Sequence, residues 1–144
     1  RVSGASVEIG GTIKSRIGKG FLILLGIAQE DTREDVEWLS KKIAAMRIFN
    51  DAEGKMNLEL KEVQGEVLVI SQFTLHASTK KGNRPSFIQA ARPELAISLY
   101  ENFILALETE LNQTILTGEF GADMQVSLVN DGPVTIIIDS KNRI

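Results

Sequence analysis

Apolar residues recur along this chain in two rhythms. Val2, Ala5, Val7 and Ile9 run strand-like to a Gly10-Gly11 turn, and a short second strand follows to Ile17. Gly18-Lys19-Gly20 reads as another turn before a buried strand over 21–27, so the opening of the chain predicts an antiparallel meander. The rhythm then changes. Asp31 and Thr32 open a helix, Thr32 and Asp35 stand as in a capping box, and Val36, Leu39, Ile43 and Met46 form one apolar stripe.

A short strand follows at 47–49, a turn over 50–55, and the clearest strand of all at 66–73, where Val67, Leu68, Val69 and Ile70 run without a polar break. Such a run is buried on both faces. Residues 76–92 lack periodicity and contain Gly82 and Pro85, which predicts a long ordered loop of the sort that carries function. Pro93 starts a second helix at the position proline favours, with Leu95, Leu99, Phe103 and Leu107 as its stripe. Three strands close the chain, at 114–119, 124–129 and 134–139. The order β-β-β-α-β-β-α-β-β-β predicts an α+β fold, mainly antiparallel, with two helices covering sheet.

Composition narrows the classes. The 144 residues, 43% of them hydrophobic, supply one domain with ample core material, and no repeat or linker divides it. There is no cysteine, which removes disulfides, thiol chemistry and Cys-ligated metals and fits a reducing cytosol. His76 is the single histidine, which removes most His-based metal sites. The apolar runs are too short to cross a bilayer. The chain opens on Arg1, and its first strand reads as entered midway, with residues missing ahead of it. A net charge of −3 argues against coating nucleic acid by bulk electrostatics. Local basic clusters remain: Lys41-Lys42, which reads as a solvated helix face, and Lys80-Lys81 with Arg84 in the long loop.

No nucleophile elbow, Walker-type phosphate loop or dinucleotide fingerprint occurs, and no carboxylates pair obviously. Two stretches stand out. Ser71-Gln72-Phe73-Thr74-Leu75 places hydroxyl and amide groups where the buried strand ends, either a strand emerging into solvent or the lip of a pocket. Asn130-Asp131-Gly132-Pro133-Val134-Thr135 interrupts two apolar runs, and Pro133 cannot donate to a ladder. It reads either as a tight turn or as a rigid knuckle whose carbonyls point at a ligand.

Together these stretches resemble the paired signature of the D-aminoacyl-tRNA deacylases, the D-tyrosyl-tRNA deacylase family. Arg47-Ile48-Phe49, Gly54-Lys55-Met56-Asn57, Lys81-Gly82-Asn83-Arg84-Pro85-Ser86-Phe87 and Phe120-Gly121-Ala122-Asp123-Met124 stand in the family's order, so the resemblance spans 1–144 as a single domain. It implies a barrel-like core covered by the two helices, no cofactor, no metal, and a cytoplasmic homodimer with sites at the interface. The implied reaction is hydrolysis of the ester joining a D-amino acid, or glycine, to the terminal adenosine of tRNA. Gly132-Pro133 is then expected to be cis and to enter the partner's pocket, where its main-chain oxygens meet the substrate's amino group and collide with an L side chain.

The same resemblance assigns residues. Ser71, Gln72, Phe73 and Thr74 are expected to line the ester, with backbone N–H groups positioned for a developing oxyanion. Thr74 is sometimes assigned as nucleophile in the family, yet no base here is obviously placed to activate it, and the ribose 2′-hydroxyl is the simpler activator of water. Phe87, Phe120 and Met124 are candidates either to sandwich the adenine or to pack in the core. Lys80, Lys81 and Arg84 are candidates for acceptor-stem phosphates, and Arg1 for bracing Gly132-Pro133. His76 stands where the family often has a non-ionisable residue. The competing readings are a non-catalytic module that binds tRNA ends or nucleotides, and a structural dimerisation domain.

Overall fold

The computed structural model describes all 144 residues. In chain order the elements are β1 (Val2–Ile9), β2 (Thr12–Ile17), β3 (Gly20–Leu25), α1 (Arg33–Ala44), β4 (Phe49–Asn50), β5 (Met56–Leu58), β6 (Glu66–Ser71), a 3-10 turn (Phe73–His76), α2 (Pro93–Leu111), β7 (Leu116–Thr117) and β8 (Met124–Asn130). The main sheet is mixed. β1 pairs antiparallel with β2, β3 and β8, whereas β3–β6 and β6–β7 are parallel; β4 and β5 form a separate ribbon.

The unbroken apolar run of β6 has a simple cause. Alternate residues on a strand face opposite ways, and β6 has a core on each side. Val67 and Val69 join a cluster of 17 buried residues shared with the helices, while Leu68 and Ile70 join a cluster of six with Val2, Ala5, Val7 and Ile17. The sheet curls round that smaller cluster into a barrel-like shape. Lys14 Nζ donates to the Thr117 and Gly118 carbonyls (3.1 and 2.6 Å) and Ser15 Oγ to the Thr117 carbonyl (2.8 Å), drawing β2 towards β7.

The expected turn at Gly18-Lys19-Gly20 is instead a bend inside one long strand. Val2 faces Gly20 in the same register in which Ala5 faces Ile17, so β2 and β3 both run antiparallel to β1. At the bend the chain changes partner: the Gly18 N–H is taken by Glu66 Oε1 at 2.9 Å, and Gly20 lies against the Glu66 backbone where no Cβ fits.

Both helices follow their sequence signals. α2 starts with Pro93 in its first turn, buries Ala96, Leu99, Tyr100, Phe103, Leu107 and Leu111, and stops at Asn112 with φ +52°, a left-handed cap. At the head of α1 the Asp35 carboxylate accepts the Thr32 N–H (2.8 Å) and binds Lys141 Nζ (2.8 Å) from the C-terminal segment. Burial pushes the Asp35 pKa up, but hydrogen bonds from Lys141, the Thr32 N–H and Ser140 outweigh that and hold it at about 2, against 3.8 ordinarily. A carboxyl whose folded pKa is depressed stabilises the fold above its unfolded value, and loses that contribution as pH falls through the folded one. The expected result is a loss of ~1–2 kcal/mol between about pH 5 and pH 2, much shallower in Asp35→Asn, read by urea unfolding at stepped pH. Parallel curves for the two proteins would rule this out.

The predicted strand at 134–139 does not form. The Val134 N–H is spent on Asn130 Oδ1 (2.9 Å) and Pro133 has none to give, so the ladder cannot restart; Ile137 is left 94% exposed. The strand predicted over 66–73 stops at Ser71 because residues 73–76 wind into the 3-10 turn.

Candidate functional site

The strand end is built from paired termini. β3 and β6 finish side by side, Leu25 against Ser71, and the Gln72 N–H donates to the Leu25 carbonyl at 2.8 Å. The chain then winds: Leu75 N–H bonds the Gln72 carbonyl (3.2 Å) and Ala77 N–H the Thr74 carbonyl (3.1 Å). Gly26 lets this turn sit close, since a Cβ there would lie 3.1 Å from Leu75 Cβ and 3.2 Å from the Gln72 carbonyl oxygen. The opening N–H groups of the turn, on Phe73 and Thr74, have no acceptor within the turn itself. The Gln72 N–H is already spent, which removes one of the expected oxyanion donors.

Thr74 is exposed, and its hydroxyl accepts a hydrogen bond from the Gln72 side-chain amide. No base is hydrogen-bonded to it. Ser71 is half-buried at the end of β6. Phe73 points outward, 56% exposed, and meets Phe87 edge-on with ring centres 5.2 Å apart. Phe87 is held there by its flanks: Ser78 and Ser86 bond reciprocally (2.8 and 2.9 Å), Gln29 N–H bonds the Gln89 carbonyl and Ala91 N–H the Ile27 carbonyl. Lys80, Lys81 and Arg84 are exposed between Ser78 and Ser86, and none forms an ion pair.

Two of the candidates for adenine contact sit against cores. Phe120 packs on the larger cluster, its ring 6.1 Å from that of Tyr100, whose hydroxyl donates to the Val69 carbonyl. Met124 packs on the smaller cluster over Gly118.

The Gly132-Pro133 bond is cis, and Gly132 has φ +131°. Arg1 lies under this knuckle with its side chain only 8% exposed. Its Nε donates to the Asp131 carbonyl (3.0 Å), its backbone nitrogen to the Val134 carbonyl (3.0 Å), and its terminal nitrogen Nη1 to the Ile48 carbonyl (2.8 Å) and Asn50 Oδ1 (3.2 Å). Arg1 thus ties the knuckle to the β4–β5 ribbon. Asn130 supplies a second clamp that sequence reasoning missed: its Oδ1 accepts the Val134 N–H and its Nδ2 donates to Thr135 Oγ1 (2.7 Å). The signal was present, because an Asn opening a turn commonly bonds backbone a few residues on.

The structure does not bring knuckle and strand end together within one chain. Asn130, Val2, Gly20 and Glu66 form one row across β8, β1, β3 and β6. The knuckle stands beside that row, where β6 begins. Ser71 stands where β6 ends, about 17 Å further along the strand.

No group of three or more His, Asp or Glu side chains is arranged to hold a metal ion, and no helix is long and apolar enough to cross a membrane. The groups presented at the strand end are neutral hydroxyl, amide and backbone groups, on a nearly closed mixed sheet backed by two helices.

The chain belongs to the D-Tyr-tRNA(Tyr) deacylase family, whose model matches residues 1–139. It is 65% identical to a D-aminoacyl-tRNA deacylase of Akkermansia muciniphila and 66% identical to one of Cytophaga hutchinsonii, each over 143 residues covering 99% of this chain and 95% of the relative. Among solved structures it is similar to one described as c-Myc DNA Unwinding Element Binding Protein, with a TM-score of 0.88 and 43% identity over 94% of this chain and 92% of that one. A second, described as a probable eukaryotic D-amino acid tRNA deacylase, matches with a TM-score of 0.75 over 88% of this chain and 89% of that one; at 15% identity it shows the fold alone.

Proposed function

We propose that this chain hydrolyses the ester between a D-amino acid, or glycine, and the terminal adenosine of tRNA, and that it does so in the cytoplasm as a homodimer. In it each Gly132-Pro133 knuckle enters the other subunit's strand-end site. The observation that carries the cross-subunit reading is the separation of knuckle and strand end within one chain: the knuckle is too far from its own Ser71–Thr74 to serve it, but a second copy removes that obstacle. Leu128, Val129, Ile136 and Ile137, all exposed beside the knuckle, offer apolar surface for such a copy to cover.

The chemistry follows from the groups present. Main-chain carbonyls at the knuckle accept bonds from the substrate's ammonium and leave no room for an L side chain. Handedness is then read without regard to side-chain identity, and glycine passes. The Phe73 and Thr74 N–H groups face the developing oxyanion. Thr74 positions the ester and does not attack it, because its hydroxyl bonds an amide and no base. The ribose 2′-hydroxyl helps activate water. Phe87 contacts the adenine, while Phe120 and Met124, packed on the two cores, support the fold around the site, and Lys80, Lys81 and Arg84 contact acceptor-stem phosphates.

The experiment is hydrolysis of D-tyrosyl-tRNA against L-tyrosyl-tRNA. Rapid loss of the D ester alone is expected, and Thr74→Ala is expected to keep turnover within about tenfold of the parent, whereas removing a true nucleophile costs on the order of 10⁶-fold in kcat. Binding without turnover would leave a non-catalytic tRNA-end module, and near-complete loss in a folded Thr74→Ala would restore Thr74 as nucleophile.

A further inference from the structure

His76 is the only histidine of the chain, and it closes the 3-10 turn that carries Thr74. Its Nε2 is buried and is the one buried side-chain nitrogen or oxygen without a hydrogen-bond partner. The ring packs against the bare α-carbon of Gly26, where a Cβ would come within 3.1 Å of Nε2. Leu75 and the Gln72 carbonyl crowd the same spot. The seat under the turn offers Nε2 no hydrogen-bond partner.

We propose that His76 is a positioning residue for deacylation: its neutral ring, seated against Gly26, holds the Phe73–His76 turn closed on the end of β3, and protonation unseats the ring and displaces Phe73 and Thr74. The proposal rests on the reading of that turn as the ester site. An imidazolium has a donor on both nitrogens, and a buried Nε2–H with no acceptor is strongly disfavoured.

The charged groups around the ring do not rescue it in place. Asp31, in the β3–α1 connection, is the acid near His76. Burial raises its pKa; the Ala28 N–H, Lys141 and His76 act the other way, and Asp35 adds to the rise. Its carboxylate already accepts the Ala28 N–H at 2.7 Å and stands 4.0 Å from Lys141 Nζ, which is bonded to Asp35 and feels Glu30 as well. The Asp31 carboxylate is thus already engaged, and it makes no hydrogen bond to Nε2. Gly26 and the rest of the turn carry no ionisable group.

The single histidine is its own reporter. Imidazole proton NMR of the intact protein gives the His76 midpoint directly, and hydrolysis of D-tyrosyl-tRNA is followed across about pH 5 to 8 for the parent, His76→Gln and His76→Leu. Dividing the parent's kcat/KM by a variant's cancels the ester's own alkaline lability. That ratio is expected to be flat above the NMR midpoint and to fall by about tenfold per pH unit below it. Asp31→Asn is expected to move midpoint and break together to lower pH. A ratio flat across the midpoint, or a break that stays fixed when the midpoint moves, overturns the proposal. If no protein hydrolyses the D ester, the functional reading fails, and the turn is then judged by its amides. Phe73 and Thr74 signals that shift with the imidazole support the proposal, and signals that stay still overturn it.

Discussion

Gly132→Ala is expected to lower kcat/KM for D-aminoacyl-tRNA by about 10²-fold or more while leaving the protein folded. At φ +131° an L side chain is strained, and the new Cβ would lie 2.7 Å from Val134 Cγ2, 3.0 Å from an Arg1 guanidinium nitrogen and 3.1 Å from the Val134 nitrogen. Each neighbour has a job. Arg1 fixes the Asp131 carbonyl, and the Val134 N–H is half of the Asn130 clamp, so relief of the clash re-aims the carbonyls proposed to meet the substrate. The stability cost stays near 1–3 kcal/mol, the usual range for a strained backbone position, because the knuckle is exposed. Steady-state kinetics on both enantiomers, with thermal unfolding alongside, decide the matter. Unchanged rates on both esters would remove the knuckle from the mechanism.

Gly20→Ala is expected to have the largest effect on stability, about 4 kcal/mol or more, and to leave little soluble protein. A Cβ at Gly20 falls far inside the van der Waals contact distance of the Glu66 carbonyl oxygen and also strikes the Glu66 nitrogen and carbonyl carbon. These are backbone atoms in the β3–β6 ladder, so no rotamer change relieves the overlap. Either β3 leaves β6 or the bend from β2 straightens. Gly18→Ala is the control: its Cβ would meet only Glu66 Oε1, at 3.5 Å, and it is expected to change stability by about 0.5 kcal/mol at most. Equal urea midpoints for the two variants would show that the close approach at Gly20 is not what fixes this junction.

Much of this architecture was readable from residue pattern. The two helices were, because Val36, Leu39 and Ile43 on one, and Leu99, Phe103 and Leu107 on the other, repeat at a spacing that only a helix puts on one face. β6 was, because four consecutive apolar residues need a core on each side. What failed was local reasoning about punctuation. Gly18 and Gly20 look like a hairpin turn, yet the chain keeps its register with β1 through them, and only the distant Glu66 reveals why they are glycines. Ile136–Ile138 has the composition of a strand, but whether a ladder restarts after Pro133 depends on the Asn130 side chain taking the next N–H. The 3-10 turn at Phe73–His76 was missed for a related reason: it exists because Gly26, far off in sequence, leaves space for it.

Of the candidate site, the sequence pattern carried only the outline. Ser71, Gln72 and Thr74 announced themselves as polar groups ending an apolar strand. That Phe73 turns outward to Phe87 depends on how residues 78–91 dock against the β3–α1 connection, and pattern carries no trace of that. Phe120 and Met124 were ambiguous, and the chain packs both against its cores.

Lys14 and Ser15 do something no other pair of neighbours in the sheet does: they join β2 to β7 without amide-to-amide bonding. Every other junction round the curl is written into main chain, and losing one means unravelling a strand. This seam is written in two side chains, one of them a solvent-facing amine. It is therefore the zip of the molecule, the line along which a single surface substitution removes a fastening and leaves every ladder whole.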